Sequence, residues 1–324
     1  MAELVDEPVP QEGAPPATGR AAPPDGSARP VPPWAAGLAG AGIAVVGLLP
    51  WLIGGARLPL QNLWEGGIPA EAPVVLLPFS QYSVTSIFAL LVLAGAVAGI
   101  AARVLVARAG TRAPALWMGG GLVGVQVAAA VQSVAVVTSG LREGRESSVY
   151  LAGIGAGVVV CLLISAGVFA LVALAPRAGA LFALSTGAVA AGLWLPILVS
   201  ATFGASTQME LGRATTYLMP VLVGAAIVWA GVRTPGRVVA ALASLVLVWL
   251  GPALTTALSS ALGTRILARD LPGMLEYGTG IFRMYATDAG LVGEPVAVAV
   301  AVAVVGLVAR EVLERRATPA EQPA

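Results

Sequence analysis

Eight long apolar stretches make up most of this chain, and each is about long enough to cross a lipid bilayer. A membrane-spanning helix needs ~20 mostly apolar residues, because the hydrocarbon core is about 30 Å thick and a helix rises about 1.5 Å per residue. The stretches cover residues 34–55, 83–107, 114–139, 148–174, 178–201, 215–232, 238–262 and 290–309. The sequence therefore predicts an all-α integral membrane protein, a bundle of about eight transmembrane helices.

The last of these stretches is the least regular. Val and Ala alternate between Val296 and Val304, which is the period of a β-strand. A lone strand in lipid would leave its backbone N–H and C=O groups unsatisfied, so we expect a helix here as well.

The composition excludes most chemistry that depends on metals or reactive thiols. The chain contains no His, which removes His-ligated zinc and haem, Ser-His-Asp triads and His proton relays. Cys161 is the single cysteine, so it can form no internal disulfide and no thiolate cluster. We therefore expect no cofactor and no metal site. A net charge of +1 gives no reason to expect a nucleic-acid partner.

The chain divides into three parts by composition. Residues 1–33 are rich in Pro and poor in large apolar residues, so we expect a disordered cytoplasmic tail. Residues 34–310 form the multi-pass domain, with outer loops at 56–82 and 263–289, and residues 311–324 form a short cytoplasmic tail. Abundant Ala, Gly, Val, Arg and Pro without Lys is typical of a GC-rich genome such as that of an actinobacterium.

Charge sets the predicted orientation. The gaps after the second, fourth and sixth stretches are very short, and they carry, with the end of the second stretch, only basic charges: Arg103, Arg108, Arg112, Arg177, Arg233 and Arg237. The other gaps mix Arg with Asp and Glu. Because cytoplasmic loops favour basic residues, we expect both termini in the cytoplasm and the bundle in the plasma membrane of a bacterium.

The first outer loop mixes aromatic, amide and charged side chains more than any other segment. We expect a cap or re-entrant element over a central cavity, in which Asn62, Glu65 and Gln81 face a ligand. The alternative is an interfacial loop anchored by Trp64, Phe79 and Tyr82 at the lipid headgroups. All of these residues except Phe79 are candidate ligand or partner contacts.

The last outer loop alternates charges with large apolar residues and predicts an amphipathic segment at the membrane interface, interrupted by Gly278 and Gly280. Arg283, Tyr285 and Asp288 are candidates for closing over a site. The alternative is a helix that lies on the membrane surface without a ligand.

Few polar residues fall inside the apolar stretches. Glu294 precedes Pro295 at the head of the last stretch, which suits either a functional acid or an ordinary helix start. Gln126 and Gln132 are six positions apart and therefore lie on different faces of one helix, where we expect hydrogen bonds to neighbouring helices.

Glycine spacing and a weak repeat indicate tight packing of similar units. Three pairs have the GxxxG spacing that lets helix backbones approach closely: Gly95/Gly99, Gly120/Gly124 and Gly153/Gly157. Residues 144–151 resemble residues 212–218, and each segment opens a stretch on the outer side. A helical hairpin used several times would explain this, and so would the independent recurrence of helix caps.

Three functions stay open. The lack of buried charge and catalytic motifs favours a membrane subunit or scaffold whose outer loops meet another membrane or extracytoplasmic protein, with lipid as the other partner. The second is a secondary transporter or permease for an uncharged or apolar substrate, with Pro-broken helices near Pro196 and Pro252. The third is an outer-face lipid-linked enzyme that uses Glu65 or Glu71. An enzyme is the less expected class.

Overall fold

The structure is a computed structural model, and it describes residues 31–59, 63–65, 71–264, 266–267 and 270–317. This part of the chain contains ten α-helices and a 3-10 turn at Gln81–Ser83. The helices are α1 (Pro33–Ile53), α2 (Val84–Ala109), α3 (Ala113–Gly140), α4 (Arg145–Leu174), α5 (Arg177–Phe203), α6 (Ala205–Thr216), α7 (Leu218–Ala230), α8 (Pro235–Gly263), α9 (Leu271–Thr287) and α10 (Ala289–Ala317).

The predicted fold class is confirmed. Eight helical segments among the described residues are long and apolar enough to cross a membrane. Seven of them match the predicted stretches closely, although α10 continues well beyond residue 309. The predicted disordered tail lies outside the described residues except for its last three, residues 31–33.

The sixth predicted stretch is not one continuous helix. Residues 215–232 are divided between α6 and α7 by a turn at Tyr217. Pro220 explains the break, because it has no N–H to donate to the carbonyl of Thr216. The 13 residues of α7 rise about 20 Å, which is less than the ~30 Å of the hydrocarbon core. The end of α6 must therefore complete the crossing.

Helices α1–α4 pack mainly with one another, and α7, α8 and α10 form a second group, with α9 packed on α8. Helix α5 joins the two groups, because it contacts α1, α2 and α4 as well as α7 and α8. The most apolar part of α2 is 56% buried within the protein, whereas that of α10 is only 11% buried. Helix α10 therefore leaves most of its surface for lipid or for another molecule.

The crossing of α1 and α3 depends on glycine. A Cβ atom at Gly40 would lie 2.0 Å from the carbonyl oxygen of Met118, and one at Gly121 would lie 1.9 Å from the carbonyl oxygen of Gly37. Both distances are far below any real carbon–oxygen contact. The two backbones are therefore in direct contact, and any side chain at these positions would force them apart.

Only one of the three predicted GxxxG pairs serves internal packing. A Cβ at Gly95 would meet Ser165 of α4, and one at Gly99 would meet Val172. The expectation is wrong for the pairs Gly120/Gly124 and Gly153/Gly157, because nothing in the described structure lies within 4 Å of their Cβ positions. The spacing alone does not say which side of a helix faces a neighbour.

The two ends of the bundle differ in the length of their connections. At the short-turn face, residues 110–112, 175–176 and 231–234 join the helices, and Gly110 ends α2 with a φ of 67°. At the loop face, the described connecting residues are 54–59, 63–65, 71–83, 141–144, 204, 264, 266–267 and 270. The arginines used to predict orientation lie at or near the short-turn face, and Arg103 there donates to the carbonyl oxygens of Val172 and Ala175.

The last loop folds as α9, and its predicted form is wrong in two respects. The helix is continuous through Gly278 and Gly280. It also runs back along α8 instead of lying flat, since Trp249 Nε1 donates to the carbonyl oxygen of Ala286 at 2.9 Å. A Cβ at Gly278 would lie 3.1 Å from that of Ala261. Gly278 therefore permits close packing on α8. The sequence pattern had suggested that it would interrupt the helix.

Candidate functional site

The candidate residues do not converge on one site. Asn62 lies outside the described residues. The other eight lie at three places: Trp64 and Glu65 beside the end of α3, Gln81 and Tyr82 before α2, and Arg283, Tyr285, Asp288 and Glu294 near the junction of α9 and α10.

The second half of the first outer loop is inserted between helices. Val75, Leu77 and Phe79 are each 0% exposed and join the core of α1–α4. We term residues 74–80 the inserted segment. Non-helical backbone is tolerated at a membrane protein's core only where the protein itself satisfies its polar groups. The expectation of a re-entrant element is met, but this element occupies the space between the helices and does not cover an open cavity.

Three side chains hold the backbone of the inserted segment. Gln132 of α3 accepts from the N–H of Leu76 at 2.9 Å and donates to the carbonyl oxygen of Val74 at 3.0 Å. Ser133 Oγ accepts from the N–H of Leu77 at 2.9 Å. Trp51 Nε1 of α1 donates to the carbonyl oxygen of Val75 at 2.8 Å. Gln132 therefore binds the loop backbone. The sequence had suggested a bond to a neighbouring helix instead.

Trp64 and Glu65 are anchored at the loop-face end of α3. The Trp64 ring lies against Gly140, where a Cβ would come within 2.3 Å of it. The N–H of Glu65 donates to the carbonyl oxygen of Gly140 at 3.0 Å, while the Glu65 side chain is exposed. Trp64 thus has a packing role, and only the Glu65 carboxylate is free to meet another molecule.

Gln81 and Tyr82 join the first loop to the end of α8. Both lie in the 3-10 turn before α2, and the Tyr82 ring is near Gly263. One turn further, Thr85 Oγ1 and Ser259 Oγ are 3.1 Å apart and share a hydrogen bond. The end of the first long loop therefore meets the end of α8, a contact that the sequence did not indicate.

The junction of α9 and α10 gathers the remaining candidates. The carboxylate of Asp288 accepts from the N–H groups of Gly290 and Leu291 and so caps the start of α10. Glu294 is therefore inside the helix and not at its head, which corrects the helix-start interpretation. Its carboxylate is exposed and accepts a hydrogen bond from the hydroxyl of Tyr217, the residue at the α6–α7 turn. We term Arg283, Asp288, Glu294 and Tyr217 the junction site.

The junction site lies well away from the short-turn face. Ala286, next to it, accepts a hydrogen bond from Trp249. Trp249 is 12 residues along α8 from Arg237 at the short-turn face, a rise of about 18 Å. The sequence indicated Tyr217 only as part of the weak repeat.

The bundle core offers little for catalysis. Its buried polar side chains among the described residues are all neutral: Ser80, Gln126, Ser133, Ser147, Ser165, Ser185, Thr215 and Ser244. Gln126 donates to the carbonyl oxygen of Leu91 at 2.9 Å, as expected of an interhelical bond, and its own Oε1 has no partner. The described residues contain no group of three His, Cys, Asp or Glu side chains that could hold a metal ion.

No protein-family model, curated protein or solved structure matches this chain. The fold and the geometry of the junction site therefore carry the functional argument. They show a multi-pass helical membrane protein with a group of exposed ionisable side chains in the loop-face half of its second helix group.

Proposed function

We propose that the protein is a membrane subunit that binds another membrane or extracytoplasmic protein through α9 and the start of α10. One observation carries this proposal: Arg283, Asp288 and Glu294 are exposed on the protein surface beside α8 and α10, two helices long and apolar enough to cross a membrane. Ionisable groups in contact with hydrocarbon are costly and normally face protein or water. A partner that brings complementary polar groups would remove this cost.

The exposed face of α9 also supports the binding of a protein partner. Leu275 is 63% exposed and Met284 is 62% exposed, and they flank a polar stripe that includes Glu276 and Arg283. Exposure of the apolar flanks to water is unfavourable, and so is exposure of the charged stripe to lipid. Contact with a protein surface that has an apolar rim and complementary charge would be favourable for both, as in ordinary protein interfaces.

Loss of charge at the junction site should release the partner. We expect purification from native membranes in mild detergent to yield one stoichiometric protein partner. Arg283→Ala and Glu294→Gln should each reduce its recovery more than ten-fold, since removing one member of a desolvated charge pair typically costs ~2–5 kcal/mol. Quantitative mass spectrometry of the eluate measures the ratio.

Arg142→Ala is the matched control, because Arg142 is also exposed at the loop face but belongs to the other helix group. It should leave partner recovery unchanged. A lone, monodisperse particle from native membranes, or equal partner loss in all three variants, would contradict the proposal.

A transporter for an uncharged or apolar substrate is the second candidate, and one specific feature favours it. The loop-face half of α8 follows Pro252 with four hydroxyl residues, Thr255, Thr256, Ser259 and Ser260. Helices broken at Tyr217 and Asp288 flank this region, and discontinuous helices are common at transport sites. If the junction site is open to water, the same exposed charges need no protein partner.

Cysteine accessibility separates these two candidates. In a Cys161→Ala background, single cysteines at Thr256 and Thr287 should resist a membrane-impermeant thiol reagent in cells and react only after the partner is removed. Ser244→Cys is the buried control, since Ser244 is 0% exposed. Rapid labelling of both positions in intact cells, from the side predicted to be extracytoplasmic, would favour the transporter instead.

No observation favours the third function, an outer-face enzyme. Glu65 and Glu71 are both exposed, and residues 66–70 between them lie outside the described part of the chain.

A further inference from the structure

A groove with purely aliphatic walls lies near the short-turn face, on the membrane side of the second helix group. It has a volume of about 350 Å³ and runs between α7, α8 and α10. Its lining residues are Ile227, Val232, Val238, Ala241, Leu242, Leu245, Val300, Ala303 and Val304. The floor is buried at Ala241 and Ala303, while the rim is open at Leu242 and Val304, so the groove faces the lipid.

The groove exists because α10 packs closely on α7 and only loosely on α8. A Cβ at Gly224 would lie 2.7 Å from that of Val302, and one at Gly306 would lie 2.4 Å from Val228. Because these glycines have no side chains, α10 can pack closely on α7. The small side chains of Ala241 and Ala303 then leave space between α8 and α10.

Among the described residues, an arginine without a carboxylate partner stands one residue from the groove lining, at the short-turn face. Arg233 forms ion pairs with Glu311 and Glu314, and its hydrogen bond to Glu314 raises the pKa of Arg233. Arg310 also pairs with Glu314. Arg237, adjacent to the groove residue Val238, has no carboxylate partner among the residues that the structure describes.

We propose that the groove binds one acyl chain of an anionic phospholipid, whose phosphate pairs with Arg237. The aliphatic lining offers nothing to a polar ligand. A flexible hydrocarbon chain fits such a space, and the free guanidinium selects a negative headgroup at the same end. This site is separate from the junction site and does not depend on the proposed subunit function.

Native mass spectrometry of the full chain tests the site directly. The protein is purified in mild detergent and supplied with equal amounts of phosphatidylglycerol and phosphatidylcholine. We expect one retained lipid, with phosphatidylglycerol preferred. Arg237→Gln should lower this preference about five-fold, as expected for one basic residue at an anionic surface. Arg112→Gln, an exposed arginine elsewhere on the short-turn face, should leave it unchanged.

Filling the groove should remove the lipid altogether. Ala303→Leu adds bulk to the floor, and Val304→Trp closes the rim at a position that is 53% exposed and so tolerates size. Both should abolish retention, whereas Ala128→Leu, on the exposed side of α3, should not. Retention unchanged by both groove variants, an unchanged lipid preference in Arg237→Gln, or a bound polypeptide in place of a lipid would each overturn the proposal.

Discussion

Replacing Gly121 with alanine should destabilise the bundle by about 3 kcal/mol or more, which is at or above the usual cost of overpacking a core. The added methyl group would lie 1.9 Å from the carbonyl oxygen of Gly37. That oxygen belongs to a helix backbone and cannot move alone. Helices α1 and α3 would have to separate along their whole contact, so the loss is larger than for a clash between two side chains.

The neighbouring residue gives an unusually close control. Nothing in the described structure lies within 4 Å of a Cβ at Gly120. Alanine there should stabilise the protein by up to about 1 kcal/mol, because glycine is a poor helix former. The two substitutions, one residue apart and identical in chemistry, should therefore have opposite signs.

Cys161 provides the measurement for this pair. It is the only cysteine and is 5% exposed, so a thiol-reactive dye reports its exposure as the detergent-solubilised protein is heated. Gly121→Ala should lower the midpoint of dye reaction, and Gly120→Ala should leave it equal or higher. Equal midpoints for both variants would show that α1 and α3 do not cross at this glycine.

Hydropathy predicted the fold class and the number of spans because it reflects the free energy of transferring each segment from water to lipid. This transfer free energy is large, and it depends only on the residues of the segment itself. It does not report contacts between segments, so the pattern could not show that α9 runs back along α8 through Gly278. The break at Tyr217 could have been predicted from the sequence, because Pro220 stands three residues beyond it. The apolar residues around Pro220 instead indicated one continuous span.

The candidate site was predicted less well than the fold. Arg283, Tyr285, Asp288 and Glu294 were selected from the sequence, and they lie at the end of α9, between the helices and in the first turns of α10, but the packing of α9 along α8 was not predicted. Their partner Tyr217 is 77 residues from Glu294 in sequence. No local pattern relates residues so far apart when a single sequence is read.

The double substitution Gln132→Leu and Ser133→Ala should release the inserted segment from the helices. It removes the acceptors for the N–H groups of Leu76 and Leu77, of which the first is partly and the second fully buried. Each unsatisfied group costs ~1–3 kcal/mol, so we expect a loss of about 2–6 kcal/mol in total. Trypsin should then cut after Arg57, because Leu58 is only 5% exposed while the loop is held in place.

Gln126→Leu is the matched comparison, since it changes the same residue type in the same helix and should have almost no effect. The carbonyl oxygen of Leu91, which Gln126 contacts, also accepts from Ser165 Oγ at 2.8 Å and stays satisfied. The substitution also removes the Oε1 atom that has no partner. Replacing such a group with an apolar one of similar shape is nearly neutral or stabilising. Rapid tryptic cleavage of Gln126→Leu together with resistance of the double variant would contradict the assigned roles, because it would mean that the interhelical bond and not the loop anchors keeps the segment in place.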